Sequence, residues 1–323
     1  MAVYTQLSAE TLAELVGHYE VGQLVSAKGI AEGVSNSNWL IETTGEDGSG
    51  ARFILTMYER RIDTADLPFF LDLLDHLAAR NCPVPRTIHD RAGAAHRLLE
   101  GKAVALIEFL PGVAVDNPTP AQARNVGAAL ANMHIAAQDY AGRRANDLGP
   151  AASADTLADC GPDRLAAIDP ALPAMIDDSQ RLAQNWPQGL PASIAHTDLF
   201  PDNVLMLGDE VRALIDFYFA CEDAMAYDLA VTHAAWSFAD NGRRYRPDVG
   251  AALVDGYEQV RQLGEDERAA MPVLAQSACM RFVSSRAQDW IETPPGALVT
   301  RKDPMDFVRR LQFYRANGAA LFA

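Results

Sequence analysis

Along this chain the spacing of apolar residues changes period once, near residue 110, and that change limits the folds open to it. Before it, Gln23–Lys28, Ser37–Thr43 and Arg52–Tyr58 alternate apolar with polar residues and are separated by glycine-rich turns at Gly29–Gly33 and Gly45–Gly50, the pattern of half-buried strands. Two more strands are expected over Ala94–Leu99 and Ala103–Phe109. One amphipathic helix, Leu67–Arg80, interrupts them, with Asp66 as N-cap, Pro68 in its first turn, and Pro83 and Pro85 beyond its end. After Leu110-Pro111-Gly112 the period becomes helical. Thr119-Pro120-Ala121-Gln122 has the form of a capping box and opens a helix running to about Tyr140. Further helices are expected over Ala171–Trp186, Asp228–Ala239, Val249–Leu263, Arg268–Trp290 and Asp303–Asn317. A sheet-rich first third followed by a helical remainder is an α+β chain with two lobes, 1–110 and 111–323.

At 323 residues the chain is long for a single core, so two lobes are expected, and its 49% apolar content is enough to bury a sizeable core. The net charge of −16 argues against nucleic acid or an anionic membrane as partner. Cys82, Cys160, Cys221 and Cys279 are scattered without a Cys-x-x-Cys pair, so neither a zinc site nor a disulfide framework is expected. The first residues lack a basic stretch followed by an apolar one, and no apolar run is long enough to span a membrane. The expectation is a cytoplasmic protein; its oligomeric state stays open.

The chemistry concentrates in His196-Thr197-Asp198-Leu199-Phe200-Pro201-Asp202-Asn203 and in Asp216 thirteen residues later. Two short apolar runs, Asn203–Leu207 and Val211–Phe217, flank Gly208-Asp209 and read as a hairpin with this segment at one end and Asp216 at the other. Asp, Asn and Pro are ordinary turn residues. Yet Asp216 falls inside an apolar run, Val211–Phe219, where a buried carboxylate would be costly without a metal or a partner.

One carboxylate to receive a hydroxyl proton, an amide five residues on and a downstream carboxylate is the division of labour of protein kinases. The segment with Ile215-Asp216-Phe217 resembles the aminoglycoside-phosphotransferase and choline-kinase superfamily, which shares the protein-kinase-like two-lobe fold: a small antiparallel-sheet N-lobe and a mainly helical C-lobe. The resemblance implies that Asp198 is the catalytic base and that Asn203 and Asp216 are Mg²⁺ ligands. By the same resemblance His196, Asp202 and Asp228 (in Tyr227-Asp228-Leu229-Ala230) are structural residues near the site. Within the superfamily the chain is similar to the homoserine kinase branch, through Gly33–Trp39, Phe53–Glu59, Leu67–Leu71, Ala131–His134 and Arg281–Arg286.

Lys28–Asn38 stands where a phosphate-covering loop belongs, with Gly33, Ser35 and Asn36 as candidate nucleotide contacts and Asn38 able to reach nucleotide or acceptor. Glu108 and Leu110 occupy the hinge, where adenine would meet backbone groups. A kinase third strand carries a lysine for the ATP phosphates, but here that position is Thr56, and Lys28 and Arg60 are the alternatives for the missing charge. Arg281, Arg286 and Tyr218 are candidates for the acceptor, since a guanidinium fits an α-carboxylate. His134 is expected to be a satisfied core residue.

The resemblance implies transfer of the γ-phosphoryl of ATP to the side-chain hydroxyl of L-homoserine, with Mg²⁺ as cofactor. Two other readings stay open. One is a kinase for choline, ethanolamine, an aminoglycoside or a sugar; the other is a nucleotide-binding regulatory protein with a dead site, suggested by the absent lysine.

Overall fold

The computed structural model describes residues 7–30, 36–59, 63–294 and 301–322. The chain forms two compact units. One comprises the described residues up to Gly112 together with Arg212–Tyr218; the other comprises Val113–Val211 and the described residues from Phe219 onward.

The first unit is an antiparallel sheet covered on both faces. Helix α1 (Ala9–Val16) starts at Ser8, whose hydroxyl accepts the Thr11 N–H at 3.1 Å. Strands β1 (Leu24–Ile30), β2 (Asn36–Thr43) and β3 (Ala51–Tyr58) follow, then helix α2 (Leu67–Ala78), then β4 (Thr87–Ile88), β5 (Arg97–Leu99) and β6 (Lys102–Glu108). The order across the sheet is β1-β2-β3-β6-β4, with β5 also on β6. Alternation decides which side chain goes where. Trp39, Ile41, Leu55, Met57, Val104 and Leu106 join Leu12, Leu15 and Val16 of α1 in one core. Tyr58, Ala103, Ala105 and Ile107 face the other way, onto Leu67 and Leu71 of α2. Because β6 is buried on both faces, it reads as an unbroken apolar run rather than an alternating one.

The expected strands and helix are present, with differences of physical origin. Asp66 stands at the N-cap of α2 but its side chain makes no capping bond. The two-residue β4 is too short to leave a periodic signature. It is fixed instead by the Thr87 hydroxyl, which donates to the Leu71 carbonyl at 3.1 Å.

The second unit is mainly helical: α3 (Pro120–Ala136), α4 (Pro150–Cys160), α5 (Pro162–Ile168), α6 (Ala174–Gln184), α7 (Met225–Trp236), α8 (Pro247–Val260), α9 (Glu265–Glu292) and α10 (Met305–Leu321). The Thr119–Gln122 capping box forms as expected. Helices α3 and α8 touch backbone to backbone, and glycine permits it from both sides. A Cβ on Gly127 would overlap the Leu253 carbonyl, and one on Gly256 would overlap that of Arg124. Helix α7 is buried along its whole length, so it carries no amphipathic stripe. Strand β7 (Ala192–Ala195) pairs with β10 (Cys221–Ala224), four residues each, and sequence periodicity revealed neither.

Between them lie β8 (Val204–Leu207) and β9 (Glu210–Leu214), connected through Gly208 at φ +62°; the chain passes from the second unit to the first within β9. The turn is held by α3, whose Gln122 and Asn125 side chains donate to the carbonyls of Gly208 and Asp209. The strand expected to run to Phe217 stops at Leu214. Asp216 therefore lies outside it and is exposed rather than buried, with φ +67°. The expected burial cost does not arise there.

Candidate active site

In the second unit the segment from His196 to Asn203 leaves β7 and ends in a short 3-10 turn, Pro201–Asn203, before β8. Its backbone is fixed by Asp228, fully buried in the first turn of α7. The Asp228 carboxylate accepts the N–H of His196 at 2.6 Å and of Thr197 at 2.7 Å, and the Nε2–H of His134 at 2.9 Å. Burial alone would raise this carboxyl. The hydrogen bond and charge of His134, with the backbone N–H of His196, outweigh it and hold Asp228 below the usual carboxylate range. His134, the satisfied core histidine expected from sequence, has its other ring nitrogen 2.9 Å from the Tyr257 hydroxyl.

Thr197 sits at φ +59°, a region a β-branched residue enters only when its surroundings impose it. Three groups impose it: its N–H on Asp228, its hydroxyl on the Phe219 carbonyl at 3.0 Å, and its own carbonyl under the guanidinium of Arg281. Trp236 adds a fourth tie by donating its indole N–H to the Leu199 carbonyl at 2.9 Å.

This frame presents Asp198. Its N–H donates to His196 Nδ1 at 3.3 Å, which places the His196 proton on Nε2. The Asn203 amide donates to the Asp198 carbonyl at 2.8 Å and to its Oδ2 at 3.3 Å. With Nδ2 so committed, the amide oxygen of Asn203 is the atom left to turn elsewhere. The other carboxylate oxygen, Oδ1, lies 3.7 Å from Arg281 Nη1. Asp202 is exposed on the 3-10 turn.

Arg281 itself is 3% exposed and stacks on Phe219 and Phe282. Its place beneath the loop makes it a holder of Thr197 and a charge beside Asp198. Arg286 is bound through Nη1 to the Asp303 carbonyl and the Asp306 carboxylate, over the Phe307 ring. Its Nε and Nη2 edge is not engaged among the described residues. The two arginines thus do different things, as their five-residue spacing on one helix requires.

In the first unit, Thr56 is buried and its hydroxyl donates to Asn38 Oδ1 at 2.9 Å. Asn36 is 6% exposed and its Oδ1 has no hydrogen-bond partner among the described residues. Asn36 and Asn38 face one way, as alternation requires, opposite Tyr58 and Thr56 in the register of β2 on β3. Lys28 is exposed on β1 opposite Leu40. Gly33, Ser35 and Arg60 lie outside the described residues. At the hinge the Glu108 N–H is spent on the Arg86 carbonyl at 2.9 Å, and its carboxylate is paired with the Arg86 guanidinium.

Sequence reasoning did not foresee the Tyr58–Tyr218 hydroxyl pair, 2.9 Å apart. Nor did it foresee the buried Glu59 carboxylate, which takes the Ser37 hydroxyl at 2.7 Å and the Lys102 ammonium at 2.5 Å. Both are pairings between residues distant in the chain: sheet neighbours hold Glu59, while Tyr218 reaches Tyr58 from the 3-10 turn Phe217–Phe219.

A model of the phosphotransferase enzyme family matches residues 26–263. A homoserine kinase of Caulobacter sp. (strain K31) is 48% identical over 324 residues, covering 100% of this chain and 99% of that protein. One from Granulibacter bethesdensis is 47% identical, covering 97% of each. Among solved structures, a spectinomycin phosphotransferase in complex with ADP and spectinomycin has a TM-score of 0.73 at 14% identity, covering 98% of this chain and 100% of that one. An amicoumacin kinase has a TM-score of 0.68 at 15% identity, covering 97% and 94%. At such identities the structural likeness shows a shared fold.

Proposed function

We propose a division of labour among these residues from one premise: the chain belongs to the phosphotransferase enzyme family and, within it, to the homoserine kinases. It is an ATP-dependent kinase whose reaction transfers the γ-phosphoryl group of ATP to the side-chain hydroxyl of L-homoserine. The product is O-phospho-L-homoserine, on the route to threonine. Among the described residues no helix is long and apolar enough to cross a membrane, and we place the enzyme in the cytoplasm.

Asp198 is the proposed base. Phosphoryl transfer passes through a loose transition state, so its carboxylate chiefly holds and orients the acceptor hydroxyl and receives the proton late. Asn203 and Asp216 are the proposed Mg²⁺ ligands. Their donors fit that ion: a carboxylate oxygen and an amide oxygen are the hard ligands it prefers. Bound there, Mg²⁺ would neutralise charge on the phosphates. Gly33, Ser35 and Asn36 are the proposed phosphate-side contacts, with Thr56 acting there through the Asn38 amide it holds, and the backbone of Glu108 and Leu110 the adenine contacts. The 1–110 lobe would thus cover the nucleotide and the 111–323 lobe carry the base and the acceptor. Asn38 is a further candidate on the nucleotide side of the acceptor. Arg286 is the better candidate for the α-carboxylate of homoserine, since Arg281 is spent on the loop.

The observation that supports this reading most is the Asp198–Asn203 pair. One amide both braces the proposed base and has its oxygen left for a metal. A coupled ADP-release assay over a panel of hydroxyl acceptors tests the reading. L-homoserine is expected to be the preferred acceptor, and release with choline or an aminoglycoside in its place would move the enzyme to another acceptor class. Absence of release with every acceptor would favour a regulatory protein.

A further inference from the structure

At the strand position where kinases carry a lysine, the side chains around Thr56 form a run of neutral hydrogen bonds inside the first unit. Tyr58 and Tyr218 are joined hydroxyl to hydroxyl at 2.9 Å, Tyr218 is bonded to the Thr56 side chain, and Thr56 donates to Asn38 Oδ1 at 2.9 Å. The Thr56 hydroxyl proton goes to Asn38, and in the Tyr58–Tyr218 pair either hydroxyl can be the donor.

Three of these residues belong to neighbouring strands, but Tyr218 does not; it comes two residues after Asp216. Its ring stands edge-on to Tyr58 at 5.4 Å and to Phe70 of α2 at 5.8 Å. On the other side of Asp216, the Leu214 N–H donates to the Pro83 carbonyl at 2.7 Å. The left-handed Asp216 is therefore clamped at both flanks: by backbone before it and by the Tyr218 hydroxyl and ring after it.

We propose that Tyr218 is the positioning residue of Asp216, and that its hydroxyl pair with Tyr58 and its ring contacts with Tyr58 and Phe70 fix mechanically the segment that a strand lysine would hold by charge. The inference rests on the reading of Asp216 as a Mg²⁺ ligand. It goes beyond it in naming what aims that carboxylate. Tyr218 acts on metal-bound nucleotide through Asp216 and need not touch the nucleotide itself.

The test is calorimetric binding of a non-hydrolysable ATP analogue to the full-length protein, with and without Mg²⁺, for the unsubstituted chain, Tyr218→Phe, Tyr58→Phe and Asp216→Ala. Thermal midpoints are recorded alongside. Tyr218→Phe is expected to weaken Mg²⁺-dependent binding about fivefold, the scale of one or two lost hydrogen bonds, and to leave metal-free binding within about twofold. Tyr58→Phe, which keeps the Tyr218–Thr56 bond, should shift the same quantity less and serves as the readout if Tyr218→Phe folds poorly. Equal weakening with and without Mg²⁺, or no weakening in either tyrosine variant while Asp216→Ala removes the Mg²⁺ dependence, overturns the role of Tyr218. Mg²⁺ dependence that survives Asp216→Ala overturns the metal assignment itself, and the inference falls with it by a separate route.

Discussion

The catalytic loop and the face of the sheet around Thr56 solve the same problem, fixing a functional carboxylate, by opposite means. Around Asp198 the protein uses charge. A fully buried carboxylate, Asp228, gathers two backbone N–H groups and a histidine, and a buried guanidinium, Arg281, closes on the Thr197 carbonyl from α9. Around Asp216 it uses neutral hydroxyls and rings, Tyr218 on Tyr58, Thr56 and Phe70. Buried charges give strong, directional ties only when every one is paired, and losing a partner is expensive. Neutral hydroxyl chains are weaker per bond and insensitive to pH across the neutral range. The Asp198 segment must hold a strained Thr197 and keep a carboxylate at one orientation, which suits the first device. The Asp216 segment needs only to be aimed.

The largest effects should come from the charged side. Asp198→Asn keeps the shape and the Asn203 contact to the backbone carbonyl. It should lower kcat by about a thousandfold, within the usual range for a lost proton acceptor, with Mg-ATP affinity nearly unchanged in equilibrium binding. Near-full activity in that variant would remove Asp198 from its role. Asp228→Ala should cost about 3–5 kcal/mol in urea unfolding, because two buried N–H groups and His134 lose their acceptor together. It should also reduce turnover by releasing Thr197 from its left-handed backbone. A cost below about 1 kcal/mol would mean that the loop is held by something other than charge.

Much of this was legible in the sequence, and the exceptions have a common cause. The Asp198-to-Asn203 spacing and the Thr119 capping box are local patterns, and local patterns survive in a linear reading, while the structural place of Asp228 was legible only through the family resemblance. The Asp216 environment was misread because Ile215 to Phe219 looks like strand continuation. The strand ends at Leu214, and the left-handed backbone turns Asp216 outward. Strands β7 and β10 are too short for periodicity, and α7 is apolar all round because it is buried all round. Arg281 shows the limit most plainly. As a residue type it suggests a ligand for a substrate carboxylate, yet burial commits it to a backbone carbonyl.

Acidification separates the two devices. The Asp228 carboxyl is held below its unfolded value, so its contribution is complete above about pH 4, the unfolded carboxylate range, and is lost as pH falls through the lower folded value. The unfolded state binds the extra proton in that window, so stability must fall with falling pH there. Urea titrations from pH 6 to pH 3 should show a steeper acid loss for the unsubstituted chain than for Asp228→Asn. The tyrosine run should contribute nothing to either slope, since its hydroxyls are raised and titrate only in base. An equal slope in both proteins would show that the Asp228 network is not what titrates.

The smallest predicted effect belongs to the neutral side. Thr56→Val preserves volume and branching in a site 5% exposed, so the cost is almost wholly that of the hydroxyl. Removing it leaves Asn38 Oδ1 without its donor and the Tyr218 hydroxyl without its Thr56 partner. Part of that loss is recoverable, because Tyr218 keeps its hydroxyl pair with Tyr58. The expected destabilisation is therefore about 1 kcal/mol, well short of the Asp228→Ala value, with Thr56→Ser closer to the unsubstituted chain because it restores both bonds. If Thr56→Val cost as much as Asp228→Ala, the hydroxyl run would be a rigid network like the charged one, and the contrast between the two regions would fail.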